Sequence, residues 1–287
     1  MVVSHGGGVR LVGVVRCRPP LTEEALLLQD PAREAVPLTS LAEIAVADLL
    51  PIGAAQVDAE RLRDAVPLWF HTFQLCPGVY TPGIARDHRY RVPALGRERF
   101  AGRSVLDIGT FDGFYAYLAE AQGASRVVGV DNEQYVDWIR GRFGIELEAS
   151  AGFRAIGELL GSRVAYEQID ALEVGRLDEA FDVVLCFGML HRVHDPVGML
   201  RALAAVLEPG GELVLETYGS RLAQDSGAVE VRESGDVYGG DEFTYWGFPA
   251  EGLRRLGRLA GLDEMDVVDR VEVDGHPRII AVLRKTA

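Results

Sequence analysis

The chain has 287 residues, 48% of them hydrophobic, and a formal charge of −14 at neutral pH; this is ample apolar content for one sizeable core and a poor basis for binding phosphate backbones. The three cysteines, Cys17, Cys76 and Cys186, are odd in number and far apart, which excludes a disulfide framework or a cysteine metal cluster, and no metal is expected. No apolar run is long enough to span a bilayer and the first residues lack the pattern of a secretory signal, so a soluble cytoplasmic protein is expected, with no membrane partner.

Residues 1–66 read as a helical N-terminal extension, in which TEEALLL and LAEIAVADLL are the best helical stretches and Pro31, Pro37, Pro51 and Pro67 punctuate them. Residues 67–102 begin with aromatics, His71 and the turn residues PGVYTPG, and read as an irregular segment lying against the rest of the fold. From residue 103 apolar strand candidates alternate with helical patterns. SVLDI precedes a helix near 113–122, and RVVGVD precedes helices near 133–142 and 151–160. RVAYEQID leads to FDVVLCFG, then to a helix near 196–207 and to GELVLETY. That alternation predicts a mostly parallel sheet with helices on both faces. EMDVVDRVEV and HPRIIAVLRK flank Asp274-Gly275, a pair suited to a two-residue turn, so the sheet is expected to close with an antiparallel hairpin.

The stretch after the first strand, Asp107-Ile108-Gly109-Thr110-Phe111-Asp112-Gly113, carries the chemistry. A dinucleotide site wants three glycines whose backbone faces a pyrophosphate. Phe111 stands where the second glycine would admit the phosphate, and Asp107 and Asp112 add charge that repels it. The Gly-Lys-Ser/Thr of a phosphate-binding loop is missing too. A cationic ligand reverses the argument. Asp107 can hold an ammonium group, and Gly109 and Gly113 let the backbone turn and the ligand lie close. Asp131 ends the second strand in VVGVDN and can take both hydroxyls of a ribose. Asp170 ends the third strand candidate in QIDALE, where its carboxylate and the next amide can meet an adenine edge. An amine, a ribose and an adenine without a phosphate describe S-adenosylmethionine.

With these motifs the chain resembles the class I S-adenosylmethionine-dependent methyltransferases over residues 103–217. LDIGTFDG is similar to the family's first motif, VVGVD to its second, QIDA to its third, FDVVLCFGMLH to its fourth, and GGELVLE to its fifth-strand segment. The resemblance implies an α/β, Rossmann-like methyltransferase fold: a mostly parallel seven-stranded sheet ending in an antiparallel hairpin, with the helical N-terminal extension before it. Residues 103–287 would form this domain, with a lid-like insertion at 218–248, and residues 67–102 a cap on the substrate side. The cofactor set it implies is Asp107, Gly109, Thr110, Phe111, Gly113, Asp131, Asn132, Asp170, Ala171 and Phe187. WFHTFQLCPGVYTPG at 69–83 and FPAEGL at 248–253 resemble, in outline, a subgroup that includes the tRNA wobble-uridine carboxymethyltransferases.

On the acceptor side the expected residues are Trp69, His71, Tyr80, His191, Tyr245 and Trp246. His71 and His191 are the candidate bases, since an imidazole titrates near neutrality and a hydroxyl acceptor must lose a proton. The competing reading makes both histidines packing residues. The expected acceptor is a small-molecule nitrogen or oxygen nucleophile, of the kind found in secondary metabolism. Two alternatives stand beside it: methyl or carboxymethyl transfer to a tRNA wobble uridine, and a non-catalytic S-adenosylmethionine-binding homologue. Nucleic acid is disfavoured because the arginines are scattered and Lys285 is the only lysine. A carboxymethyl donor would also need a cation near its carboxylate, which the sequence alone does not assign. A homo-oligomer is left open.

Overall fold

The computed structural model describes residues 41, 43–84, 88–233 and 242–286. Of the expected N-terminal helices, TEEALLL lies outside the described residues. LAEIAVADLL is helical only at its start and passes into turns at Ala45, with Val46 in the left-handed region at φ 41°.

Helix α1 (Gln56–Ala65), strands β1 (Gln74–Cys76) and β2 (Val79–Tyr80), a 3-10 turn over Arg89–Ala94 and α2 (Arg97–Phe100) precede the sheet. Then come β3 (Ser104–Ile108), α3 (Phe114–Ala121), β4 (Arg126–Asp131), α4 (Gln134–Phe143), α5 (Ala151–Leu160) and β5 (Ala165–Gln168). The return half is β6 (Phe181–Phe187), α6 (Pro196–Ala205) and β7 (Leu207–Tyr218). A two-residue ribbon of β8 (Glu230–Val231) and β9 (Trp246–Gly247), α7 (Ala250–Leu259), β10 (Glu264–Val273) and β11 (His276–Arg284) complete the chain.

Seven strands form one sheet in the order β10-β11-β7-β6-β3-β4-β5. The pairs from β7 to β5 are parallel, and β11 is antiparallel to both β7 and β10. The closing hairpin turns at Asp274 (φ 52°) and Gly275 (φ 77°), between the paired residues Val273 and His276. Two successive left-handed residues are what a tight turn between right-twisted strands requires.

Alternate residues of each strand face opposite sides, and each side has its own core. Val105, Val183, Leu185, Val214, Ile280 and Val282 pack with α3 and with Trp69, Phe73, Leu75 and Val79 of the preceding segment. Leu106, Val128, Val184, Cys186, Leu213, Leu215 and Ile279 pack with α6 and α7. At ~1.5–3 kcal/mol for each fully buried large side chain, both layers contribute heavily to stability. The phase of the strands has a chemical result. Asp107 is in step with Val105, Glu216 with Val214 and Arg278 with Ile280. Three charged residues therefore project into the layer beneath the 69–95 segment.

The chain runs outward from β3 to β4 and β5, then returns to the other side of β3 with β6 and β7. The loops after β3 and β6 flank the resulting crevice at the carboxyl edge, where an open parallel sheet binds its ligand.

Candidate active site

The loop after β3 is built on three left-handed residues: Gly109 (φ 71°), Phe111 (φ 48°) and Gly113 (φ 84°). A side chain on Gly109 would reach the Met189 sulfur at 2.6 Å, and one on Gly113 would reach Tyr117 at 2.5 Å and Phe153 at 2.7 Å. Both positions thus need glycine for the backbone, and Gly113 needs it for space as well, because two aromatic rings stand against it. Met189 follows β6, so the two crevice loops touch, as the topology requires. Phe111 has no such freedom, and a left-handed conformation costs it ~1–2 kcal/mol. Its amide donates to Asp131 Oδ2 at 2.8 Å, which holds it there.

The expected cofactor residues meet around this loop. Asp107 is buried and accepts the Thr110 hydroxyl at 2.7 Å. Burial pushes its carboxyl up to about 7 against that hydrogen bond, and the neighbouring Asp131 and Asp112 add repulsion. Asp131, half-buried at the end of β4, accepts the amides of Phe111 and Asn132, each at 2.8 Å. Burial still pushes it up to about 6. The Asn132 side-chain amide donates to Asp170 Oδ2 at 2.7 Å, and Asp170 Oδ1 caps the turn that starts at Ala171 by accepting Leu172 N at 2.8 Å. Each carboxylate oxygen accepts more than one hydrogen, so these acids retain capacity for a ligand. A cationic, hydroxyl-bearing ligand would relieve the desolvation that raises Asp107 and Asp131. The donor set fits S-adenosylmethionine.

His71 lies against the same loop. Its Nδ1 is 2.5 Å from Asp112 Oδ1, while Asp112 Oδ2 accepts the amides of Phe70 and His71, each at 2.8 Å. Both residues are buried. The imidazole stacks on Phe114 at 5.3 Å between centroids, and the rings of His88 and Tyr115 lie at 5.3 and 5.2 Å. Trp69 sits in the core with its indole N–H donated to Arg63 O at 3.0 Å, and Tyr80 is half-buried in the β1–β2 ribbon.

His191 is fully buried in the turn after β6. Tyr218 N donates to its Nδ1 at 3.3 Å, and Thr217 Oγ1 is 3.2 Å from the same nitrogen. Nδ1 is therefore an acceptor and Nε2 carries the proton, buried without a hydrogen-bond partner. Burial holds the imidazole well below its usual pKa, and Arg278, Arg192 and Arg91 push it the same way. The expected lid aromatics pack on this turn: Tyr245 N donates to His191 O at 2.9 Å, the Tyr245 ring stacks on His194, and the Trp246 indole donates to Val193 O at 2.8 Å. A chain of ring contacts runs from Phe70 to Phe111 (5.4 Å), Tyr135 (6.0 Å) and Phe243 (6.2 Å). The 69–83 segment thus reaches the loop after β3 at Phe111, and the insertion after β7 reaches the neighbouring α4 through Phe243 on Tyr135.

Sequence reasoning missed a buried ionic group near Phe187, the remaining expected cofactor residue. Arg91 Nη2 lies 2.8 Å from Glu216 Oε2, and Arg278 Nε donates to Glu216 Oε1. Arg91 Nη1 also donates to the Tyr115 hydroxyl at 2.8 Å, which lies 3.1 Å from His88 Nδ1. The Arg91 guanidinium stands 5.6 Å above the Phe187 ring. Burial works to raise the Glu216 pKa, but Arg278 and Arg91 outweigh it and hold the carboxyl below its ordinary range. Two arginines share one carboxylate, so this trio carries a net positive charge inside an acidic protein. The available signal was phase: Glu216 and Arg278 occupy inward positions of apolar strands.

No group of histidine, cysteine and carboxylate side chains suited to a metal occurs among the described residues, and no described helix is long and apolar enough to cross a membrane.

Comparison with known proteins agrees with this geometry. The chain is 32% identical over 160 residues to a tRNA U34 carboxymethyltransferase of Desulforapulum autotrophicum; the match covers 52% of this chain and 45% of that relative, so the chain spans less than half of its length. The fold is similar to the N-terminal domain of EvdMO1 with S-adenosylhomocysteine bound (TM-score 0.59, 20% identity, 82% of this chain and 99% of that one). It is also similar to the Burkholderia thailandensis 1,6-didemethyltoxoflavin-N1-methyltransferase, solved with 1,6-didemethyltoxoflavin and S-adenosylhomocysteine (TM-score 0.51, 20% identity, 89% and 93%). The family described as "Methyltransferase domain" matches residues 84–265, well over half of the chain and both crevice loops. The chain belongs to the methyltransferase-domain family.

Proposed function

We propose that the protein transfers a methyl group from S-adenosylmethionine to an oxygen or nitrogen of a small molecule. The observation that carries the cofactor is the set Asp107, Asp131 and Asp170 at the carboxyl edge, with Asp107 and Asp131 desolvated and raised. A pyrophosphate would meet repulsion there, whereas an ammonium and a ribose find acceptors. S-adenosylmethionine supplies the methyl as an electrophile on a positively charged sulfur. The protein's part is to align the acceptor and exclude water. The net charge of −14 and the scattered arginines support a small acceptor over a nucleic acid.

One observation favours a second reading, carboxymethyl transfer to a tRNA uridine. The Arg91–Glu216–Arg278 trio supplies the cation that an added carboxylate would need. Two experiments separate these readings. Calorimetry with S-adenosylmethionine, S-adenosylhomocysteine and NAD should show binding of the first two only; NAD binding alone sinks the cofactor assignment. S-adenosylhomocysteine release is then measured from S-adenosylmethionine and, separately, from its derivative bearing a carboxymethyl in place of the methyl, with a panel of small phenols, sugars and amines and with a tRNA transcript. Turnover with the transcript alone would replace the first reading by the second.

A further inference from the structure

We propose that Asp112 is a positioning residue that keeps the proton of His71 on Nδ1 and leaves Nε2 bare, so that His71, and not His191, takes the proton of a hydroxyl acceptor. The inference rests on the methyl-transfer reading above and names the base within it.

Asp112 Oδ2 accepts two backbone amides, whose protons cannot be surrendered, and Oδ1 faces His71 Nδ1. Those two donors occupy Oδ2, which leaves Oδ1 as the acceptor for the proton on His71 Nδ1. The remaining nitrogen, Nε2, then carries the lone pair of the ring. A carboxylate that sets the tautomer of a basic histidine is a recurring catalytic arrangement.

Both partners are immobilised. The left-handed Phe111 turns Asp112 toward the 69–83 segment, and a side chain on Gly152 would stand 3.0 Å from Asp112 Cβ. The carbonyl of His71 accepts the Thr81 hydroxyl at 2.8 Å, and its ring lies on Phe114. The titratable groups facing the ring are Asp112, His88 and Tyr115, with Arg91 behind them on the Tyr115 hydroxyl. Burial keeps His88 neutral, holding it well below the usual imidazole range. Asp112 is thus the anion that neutralises a proton arriving on His71.

His191 is arranged in the opposite sense. Its Nδ1 accepts the Tyr218 amide, so its Nε2 is protonated and offers no lone pair. Reversing that tautomer would set two N–H groups against each other in a buried site. In the proposed step a lone pair of the acceptor oxygen forms the bond to the methyl carbon. The sulfur–carbon pair returns to sulfur, and the acceptor's O–H proton passes to His71 Nε2. Solvent later removes that proton.

The test uses full-length protein with ¹⁵N-labelled histidine, saturated with S-adenosylhomocysteine. Long-range ¹H–¹⁵N spectra read each ring's tautomer, and His71→Gln and His191→Gln supply the assignments. The expected result is a bare Nε2 on His71 and a protonated Nε2 on His191. Asp112→Asn keeps the shape and the amide acceptor but offers an N–H to Nδ1, so the His71 proton should move to Nε2. A merely structural latch would show the same tautomer change but leave turnover of a hydroxyl acceptor by folded Asp112→Asn unchanged, whereas the proposal expects that turnover to fall about a hundredfold with S-adenosylhomocysteine binding retained. A protonated Nε2 on wild-type His71 overturns the proposal, even if the variant does not fold, and so does an unchanged tautomer in a folded Asp112→Asn protein. Calorimetry on the same samples separates the two levels: failure to bind S-adenosylhomocysteine overturns the cofactor reading, whereas binding with the wrong tautomer overturns only the role of Asp112.

Discussion

Cofactor affinity should rise with pH because Asp107 must be ionised to hold an ammonium group. Without ligand its carboxyl is pushed up to about 7, burial being the main cause. The ionised fraction grows from about 0.1 at pH 6 to about 0.75 at pH 7.5, which predicts roughly eightfold tighter binding, ~1.2 kcal/mol. The sign follows from linkage: a bound cation lowers the Asp107 pKa, so binding releases a proton and is favoured as pH rises. The upper limit is kept below ~7.7–8.0, where the ligand's own α-amine begins to lose its charge. Calorimetry with S-adenosylmethionine in two buffers of different ionisation enthalpy counts the released protons, about half of one at pH 7 from this group. Asp107→Asn should flatten the profile and weaken binding at its upper end. An affinity constant between pH 6 and 7.5, with no proton release, would refute the role given to Asp107.

Asp131→Ala should weaken cofactor binding about tenfold to a hundredfold, ~1.5–3 kcal/mol, as two hydroxyl hydrogen bonds are lost; unchanged affinity in a folded variant removes Asp131 from the ribose site. Arg278→Met should cost ~1.5–3 kcal/mol in urea denaturation, since Glu216 loses one charge-assisted hydrogen bond but keeps Arg91 as its counter-ion; a loss below ~1 kcal/mol would mean Arg91 alone satisfies that carboxylate. Asp107 and Asp131 should each cost the ligand-free protein stability as pH rises from about 4 to about 7, because the raised acids keep protons in the folded state that the unfolded chain has released, while the buried neutral His88 and His191 add stability as pH rises toward the usual imidazole range. The urea midpoint of Asp107→Asn should therefore climb more steeply with pH than that of the wild type; parallel profiles would contradict the raised value.

The sheet was legible because its signals are local. Strands buried on both faces appear as continuous apolar runs, and Asp274-Gly275 marks the hairpin without help from distant residues. The acids at strand ends were legible for the same reason, since strand phase and topology together define the carboxyl edge. The Arg91–Glu216–Arg278 trio was not, because its members lie on three segments that meet only in the folded chain. Glu216 could still have been singled out: a carboxylate in step with Val214 must be buried, and a buried charge needs partners. Asp112 was read in sequence only as negative charge beside Asp107. Its three hydrogen bonds come from residues 41 and 42 positions earlier, and no spacing rule connects such a pair.

The aromatic in the first motif acquires a physical reason here. A glycine at position 111 would adopt the left-handed conformation at no cost, so the ~1–2 kcal/mol carried by Phe111 needs compensation. Its ring meets Phe70 and Tyr135, which also touch each other, and its amide is held by Asp131. The next residue, Asp112, is thereby turned onto His71. One strained residue joins the acid assigned to the ribose to the histidine assigned to the acceptor. A glycine would relieve the strain but give up both ring contacts and let Asp112 move relative to His71. Phe111→Gly should therefore keep the sheet intact while weakening the hold of the 69–83 segment on the loop. Faster amide hydrogen exchange at Phe70 and His71, whose N–H groups Asp112 accepts, would report it directly, and unchanged exchange there would break the link between the strain and the site.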